Sequence, residues 1–377
     1  MKPRAIMSKI ACSFIVLLAQ SGPINAEQLS NYEGQKYPTL TVHGFGEARY
    51  YNETLSGKKD VVAGQQAFHV ISSFSERITA FGEFSLTFKE SDTDTDVERL
   101  FIRYDFSDRL KLSLGRYHTP VGFWNASYHH GAWLQTTIDR PRVMKFGSQI
   151  LPIHFEGVLA EGNLPVANIN LAYRAGVGTG IHNNITVNNN HGHHGETDGD
   201  NAFTLQLYNR PSNIHGLEFG ASYYRDKVNI DSTPHHEDEH EHSAPDINEE
   251  IFGVHIALEQ EAVEFIAEYI YWEHKNDGGA PLSNTGNGFY VQAAHRLSGR
   301  FHQLKPYIRL DKISADNDDI LFAKDQSFEG ATLGLRYDFT DSAALKVEYR
   351  NQQEGDDDRF NSLVMQLSIV LPNMISL

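Results

Sequence analysis

Beyond residue 38 the chain is written in short segments that alternate apolar and polar residues. In the last of them Leu363, Met365, Leu367, Ile369 and Leu371 share one face, and Val364, Gln366, Ser368 and Val370 share the other. Side chains on a strand point alternately to its two faces, so this period of two predicts strands. Sixteen segments read this way: Leu40–Asn52, Ala67–Phe74, Arg77–Lys89, Val97–Phe106, Leu110–Tyr117, Ile153–Glu161, Ala167–Gly178, Ala202–Tyr208, Leu217–Arg225, Glu250–Leu258, Val263–Trp272, Gly288–Arg296, Leu304–Ile313, Phe328–Phe339, Leu345–Gln352 and Ser362–Leu371. Most are close to the roughly 9–11 residues a tilted strand needs to cross a bilayer.

The connections alternate in length. Seven are short: Ser75-Glu76, Ser107–Arg109, Asn163–Val166, Asn209–Gly216, Glu259–Ala262, Leu297–Gln303 and Thr340–Ala344. Eight are long, around residues 53–66, 90–96, 118–152, 179–201, 226–249, 273–287, 314–327 and 353–361. That rhythm predicts an all-β fold, a 16-stranded antiparallel transmembrane β-barrel with short periplasmic turns and long external loops. A soluble β-sandwich also strings short strands together, but it does not require the short–long alternation. Charges on a lipid face cost about 2–4 kcal/mol at the midplane, so the charged faces of these strands are expected to line the lumen. Two turns share a wording: Tyr104-Asp105-Phe106-Ser107-Asp108 and Tyr337-Asp338-Phe339-Thr340-Asp341, each ending a strand in aromatics and turning on Asp, Ser or Thr.

The first 26 residues read differently. Lys2, Arg4 and Lys9 precede the apolar run Ile10–Ala19, and Ile24-Asn25-Ala26 ends in a small residue, the order of a secretory signal. Residues 27–38 are then an N-terminal periplasmic segment and residues 39–377 the barrel. The single cysteine, Cys12, falls inside the signal. Without disulfides, the secreted chain must be held by packing or by a closed hydrogen-bond ladder. The net charge of −17 argues against nucleic-acid binding, which needs basic surface to replace phosphate counterions. Much of the acid sits in the connections, as in Glu90–Asp96 and Glu354–Asp358.

The connection His118–Pro152 stands apart. It carries Trp124, His129, His130, Trp133, Arg140, Arg142 and Lys145. An aromatic connection of this length folds onto something: into the lumen, where its cations would face a desolvated anion at a constriction, or over the barrel as an external cap with its cations on acidic neighbours. Along the lumen wall the alternation places Arg99, Arg103, Lys111, Lys305, Arg309, Arg336, Lys346 and Arg350 among Asp105, Glu264, Glu268, Asp311, Asp338 and Glu348, a mixed lining in which opposite charges pair across strands.

The stretch Leu114-Gly115-Arg116-Tyr117-His118-Thr119-Pro120-Val121-Gly122-Phe123-Trp124-Asn125, followed by Tyr128-His129-His130-Gly131 and Arg140-Pro141, resembles the block after the fifth strand in porin-like proteins of Gram-negative bacteria, a group similar to the phosphate-selective porin O and P family. The resemblance covers about thirty residues. It implies a 16-stranded channel, and barrels of this family often form trimers. Such barrels commonly end on an aromatic residue, whereas this chain continues past Leu371 to Leu377. No phosphate-binding lysine cluster aligns, so phosphate selectivity does not transfer.

Two other connections are rich in histidine. HGHHGETDGD carries His191, His193 and His194, and HHEDEHEH carries His235, His236, His240 and His242. Imidazoles beside carboxylates suit zinc, copper or nickel, held loosely, because the spacing is not that of a structural zinc site. The alternative is a polar, variable external loop. No GxSxG elbow, HExxH helix or phosphate loop points to an enzyme. No cofactor is required. The expected function is passive diffusion of small hydrophilic solutes or ions through the bacterial outer membrane, in contact with its lipid. The competing reading is a surface protein that captures or senses zinc, copper or nickel and uses the barrel as an anchor.

Overall fold

The computed structural model describes residues 37–54, 57, 59–88, 93–128, 130–145, 149–166, 169–181, 202–229, 246–276, 283–319, 321–322 and 325–376. The expected signal, all of the periplasmic segment but Tyr37 and Pro38, and both His-rich tracts lie outside the described residues.

The strands are β1 (Thr39–Glu53), β2 (Lys59–Val62), β3 (Gln65–Ser73), β4 (Ile78–Phe88), β5 (Thr93–Ser107), β6 (Leu110–His118), β7 (His154–Val166), β8 (Ile169–Ile181), β9 (Ala202–Asn209), β10 (Leu217–Asn229), β11 (Asp246–Glu259), β12 (Val263–Asn276), β13 (Ser283–His295), β14 (Leu304–Ala315), β15 (Phe328–Thr340), β16 (Ala343–Glu354) and β17 (Phe360–Ser376). Each pairs antiparallel with its neighbours, and β1 pairs with both β3 and β17, so the sheet closes on itself. Closure leaves no edge, which is how a sheet satisfies its backbone in lipid. Among the described residues no helix is long and apolar enough to cross a membrane.

β2 and β3 are two pieces of one wall strand. Gly46 faces Gln66 and Arg49 faces Val62 on the same strand β1, with a bulge at Ala63-Gly64 between them. Gly64 takes φ 66°, a conformation that suits glycine. The wall is therefore a closed 16-stranded antiparallel barrel. The expected long connection 53–66 shrinks accordingly to residues 54–58 plus the bulge. Other boundaries also move. β7 runs to Val166 and pairs it with Ile169, so Asn163–Val166, expected as a turn, belong to the strand. β5 starts at Thr93, because polar side chains above the apolar band still pair their backbones. β17 continues past Leu371 through a bulge and pairs Ile375 with Val42.

The faces follow the alternation. Leu333, Leu335, Tyr337 and Phe339 are exposed on the outside of β15, while Thr332, Gly334 and Arg336 at the alternate positions are buried inside. One bulge defeats the alternation: Glu83 faces Arg99 but Phe84 faces Val97, leaving Glu98 without an opposite residue. Glu98 and Arg99 are both buried, two neighbouring charges on the inner side of one strand.

Candidate functional site: the loop inside the barrel

Residues 119–153 connect β6 to β7, and the described ones run inside the barrel. Their first helical turn, α1 (Phe123–Ser127), has no side-chain cap of its own. The wall supplies one: the Glu268 carboxylate on β12 accepts from Phe123 N at 2.6 Å and Trp124 N at 2.8 Å. The first amides of a helix have no partner within it, and an acceptor with negative charge suits that end. Gly122 makes the approach: its φ is 72°, and a Cβ there would lie 2.2 Å from Glu268 Oε2. Its amide donates to Ser222 Oγ on β10 and its carbonyl accepts from Gln206 Nε2 on β9. Behind α1, Phe123, Trp124, Met144, Ile150 and Tyr290 form one buried apolar cluster that fills this side of the lumen.

The wall strands that follow, from β14 round past the closure to β4, take up the rest of the loop. Arg336 on β15 donates to Trp133 O and Gln135 O, and Lys346 on β16 donates to Thr137 O. Ile138 N donates to Glu348 on β16, and Arg142 N to Asp311 on β14. His130 N donates to Glu83 on β4. Asp139 sits between Arg49 of β1 and Arg350 of β16, 2.7 Å from a nitrogen of each. Burial raises the Asp139 pKa, but Arg350 and then Arg49 outweigh it and hold the group well below the usual carboxylate range. A cavity of about 700 Å³ opens at the long-connection end, lined by Arg49, Asp139, Arg142, Lys145, Arg309 and Arg350 among others. A smaller one of about 470 Å³ lies on the short-turn side, lined by Phe123, Arg174, Arg210 and Glu259 among others.

The expected loop residues divide by role. Arg142 and Lys145 line the outer cavity: Arg142 pairs with Glu354 at 3.0 Å, while Lys145 forms no ion pair with any described residue. Desolvation, and then the Arg142 guanidinium, lower the Lys145 pKa. Arg140 also borders the cavity, but its guanidinium braces the loop, donating to Asn125 Oδ1 and Met144 O; burial lowers its pKa to about 10. His130 is buried at the cavity wall, its ring against Gln65 and Glu98. Trp124 packs into the apolar cluster and Trp133 under Arg336. His129 lies outside the described residues.

On the wall, Arg309 pairs with Asp311 and Arg350 with Glu348, and Arg99 bonds Glu83. Arg103 and Lys111 flank Asp105 near the short turns. Arg49, Glu83, Glu98 and Asp139 escaped the sequence reading. Arg49 was within reach, since Phe45, Glu47, Arg49 and Tyr51 share the inner face of β1. Among the described residues, no cluster of His, Cys, Asp and Glu is arranged to hold a metal.

Three solved structures share this architecture. The anion-selective porin from Comamonas acidovorans aligns over 88% of this chain and 100% of its own, with TM-score 0.61 and 10% identity. The outer membrane channel DcaP of Acinetobacter baumannii aligns over 91% and 100%, with TM-score 0.61 and 12% identity. The fold is that of a porin-like barrel. The in-vitro folded outer membrane protein OmpT of Vibrio cholerae, in its trimer form, aligns over 88% and 99%, with TM-score 0.56 and 15% identity. No protein-family model matches the chain, and no curated protein does.

Proposed function

We propose that this chain is a non-enzymatic channel of the bacterial outer membrane through which small hydrophilic solutes and ions diffuse passively. One observation carries the reading: a closed barrel with an apolar outer face holds its longest described connection inside the lumen, beneath a charged cavity open at the long-loop end. Loop 119–153 sets the passage, and Arg142 and Lys145 bias what enters it. The sequence resemblance to the phosphate-selective porin O and P family and the likeness in fold to an anion-selective porin and an outer membrane channel support the reading. The trimer form of one neighbour supports assembly as a homotrimer.

The test is reconstitution of the detergent-purified protein in a planar bilayer. Stepwise conductance is expected, with a reversal potential across a potassium chloride gradient that shifts when Lys145 is replaced by methionine. A folded barrel that inserts but passes no current overturns the reading.

A further inference from the structure

Arg49 and Arg350 project from β1 and β16 toward a common point. Each guanidinium is pinned at one end by a carboxylate two residues earlier on its own strand. Arg49 Nη2 lies 2.8 Å from Glu47, and Arg350 Nε donates to Glu348 at 2.7 Å. Their other ends converge on the two oxygens of Asp139, Nη1 to Oδ1 and Nη1 to Oδ2, each at 2.7 Å, and Arg49 Nη1 also donates to the Tyr51 hydroxyl at 3.1 Å. Two oriented guanidiniums that receive one carboxylate between them are a carboxylate receptor. Asp139 is not part of the wall. It rides on residues 135–140, which form no helix or strand, and a third of its side chain is open to the outer cavity. Arg309 differs, because its guanidinium is committed to Asp311 and to loop oxygens.

We propose that Arg49 and Arg350 form a carboxylate-binding subsite of the outer cavity, with Asp139 as its built-in occupant, displaced by small carboxylate solutes that enter from outside. This deepens the channel reading and rests on it for the solute's route, though binding at the subsite does not require conduction. A tethered carboxylate competes at the high effective concentration of an intramolecular group. A monocarboxylate therefore displaces it poorly. A short dicarboxylate gains a second contact at Lys145, which lines the same cavity and lies within electrostatic range of Asp139. The subsite thus selects dicarboxylates over monocarboxylates and holds them weakly, as suits a solute that must move on.

The experiment is calorimetric titration of succinate, and of propionate, into the folded full-length barrel in detergent. Asp139→Asn, which keeps the size of the side chain and removes its charge, should bind succinate about tenfold tighter than the unaltered protein or better. Adding Arg350→Gln to that variant should abolish the gain, and Lys145→Met should weaken succinate and leave propionate unchanged. Equal succinate affinity in D139N and the unaltered barrel overturns the proposal, as does tighter binding of inorganic phosphate than of succinate. Should D139N fail to fold, R350Q alone decides: weaker succinate binding supports the subsite and unchanged binding overturns it. A barrel that binds succinate this way but passes no current sinks the channel reading and leaves the subsite standing. A conducting barrel whose D139N variant binds no tighter does the reverse.

Discussion

Glu268 accepts the amide of Trp124 at 2.8 Å across 144 residues of sequence. The same carboxylate takes the Phe123 amide and the Tyr290 hydroxyl. One wall residue thus caps the loop helix and fixes where the loop enters the lumen. Hydrogen bonds to a charged group contribute about 1.5–3 kcal/mol each. Glu268→Ala should therefore free the start of the loop without unpairing β12. Expected are new protease cuts within residues 119–153 of the folded barrel and noisier single-channel currents. Unchanged cleavage would mean that the apolar cluster alone holds the loop.

Gly122→Ala probes the same joint from the other side. The added methyl would collide with Glu268 and with Met144, at a backbone angle that disfavours any side chain. Strain at a left-handed position costs about 1–3 kcal/mol. The variant should reproduce the E268A protease pattern. Cuts elsewhere, or none, would separate the glycine from the cap.

Lys145 should make the proposed conductance depend on pH. Desolvation and Arg142 lower its pKa, so it sheds its proton below the pH at which an ordinary lysine does, about 10.5. The reversal potential across a salt gradient should therefore move toward greater cation permeability as pH rises toward that value. K145M should start from the more cation-permeable value and lack the step. A step of equal size in both proteins would assign the titration elsewhere.

Leu333 tests the membrane face. It stands 62% exposed on the outer side of β15, flanked by Ala331 and Leu335. Leu333→Arg should cost about 2–4 kcal/mol in refolding into lipid vesicles, the range for a cation near the bilayer midplane. An unchanged midpoint in a denaturant titration would place that face out of the hydrocarbon.

The His-rich tracts carry a prediction of their own. Zinc titrated into the intact protein should release heat, and deleting residues 191–194 and 235–242 should remove it without changing conductance. No heat from the intact protein would rule out a metal role for these segments.

Much of the wall was legible because alternation is a local rule: each inner residue of β15 or β16 is announced by its neighbours two positions away. Glu98 was not, because a bulge turns it inward beside Arg99, and a bulge leaves no mark in the period. The aromatic and cationic composition of the loop marked it as unusual but could not route it. Arg140 and Arg142 look alike in sequence and both border the cavity, yet one braces Asn125 and the other pairs with Glu354 on the wall. That division depends on which side of a folded loop each emerges from. Asp139 stayed hidden because its meaning lies in Arg49 and Arg350, distant in sequence and joined only by closure of the sheet.

Barrel closure has a mechanical side. The seam of the cylinder is where β1 meets β17, and β16 lies one strand beyond it. Asp139 grips Arg49 on one side of that seam and Arg350 on the other, so the loop is a stitch across the join. Prising the cylinder apart at its first and last strands would require the loop to let go first, and a loop that lets go would loosen the join.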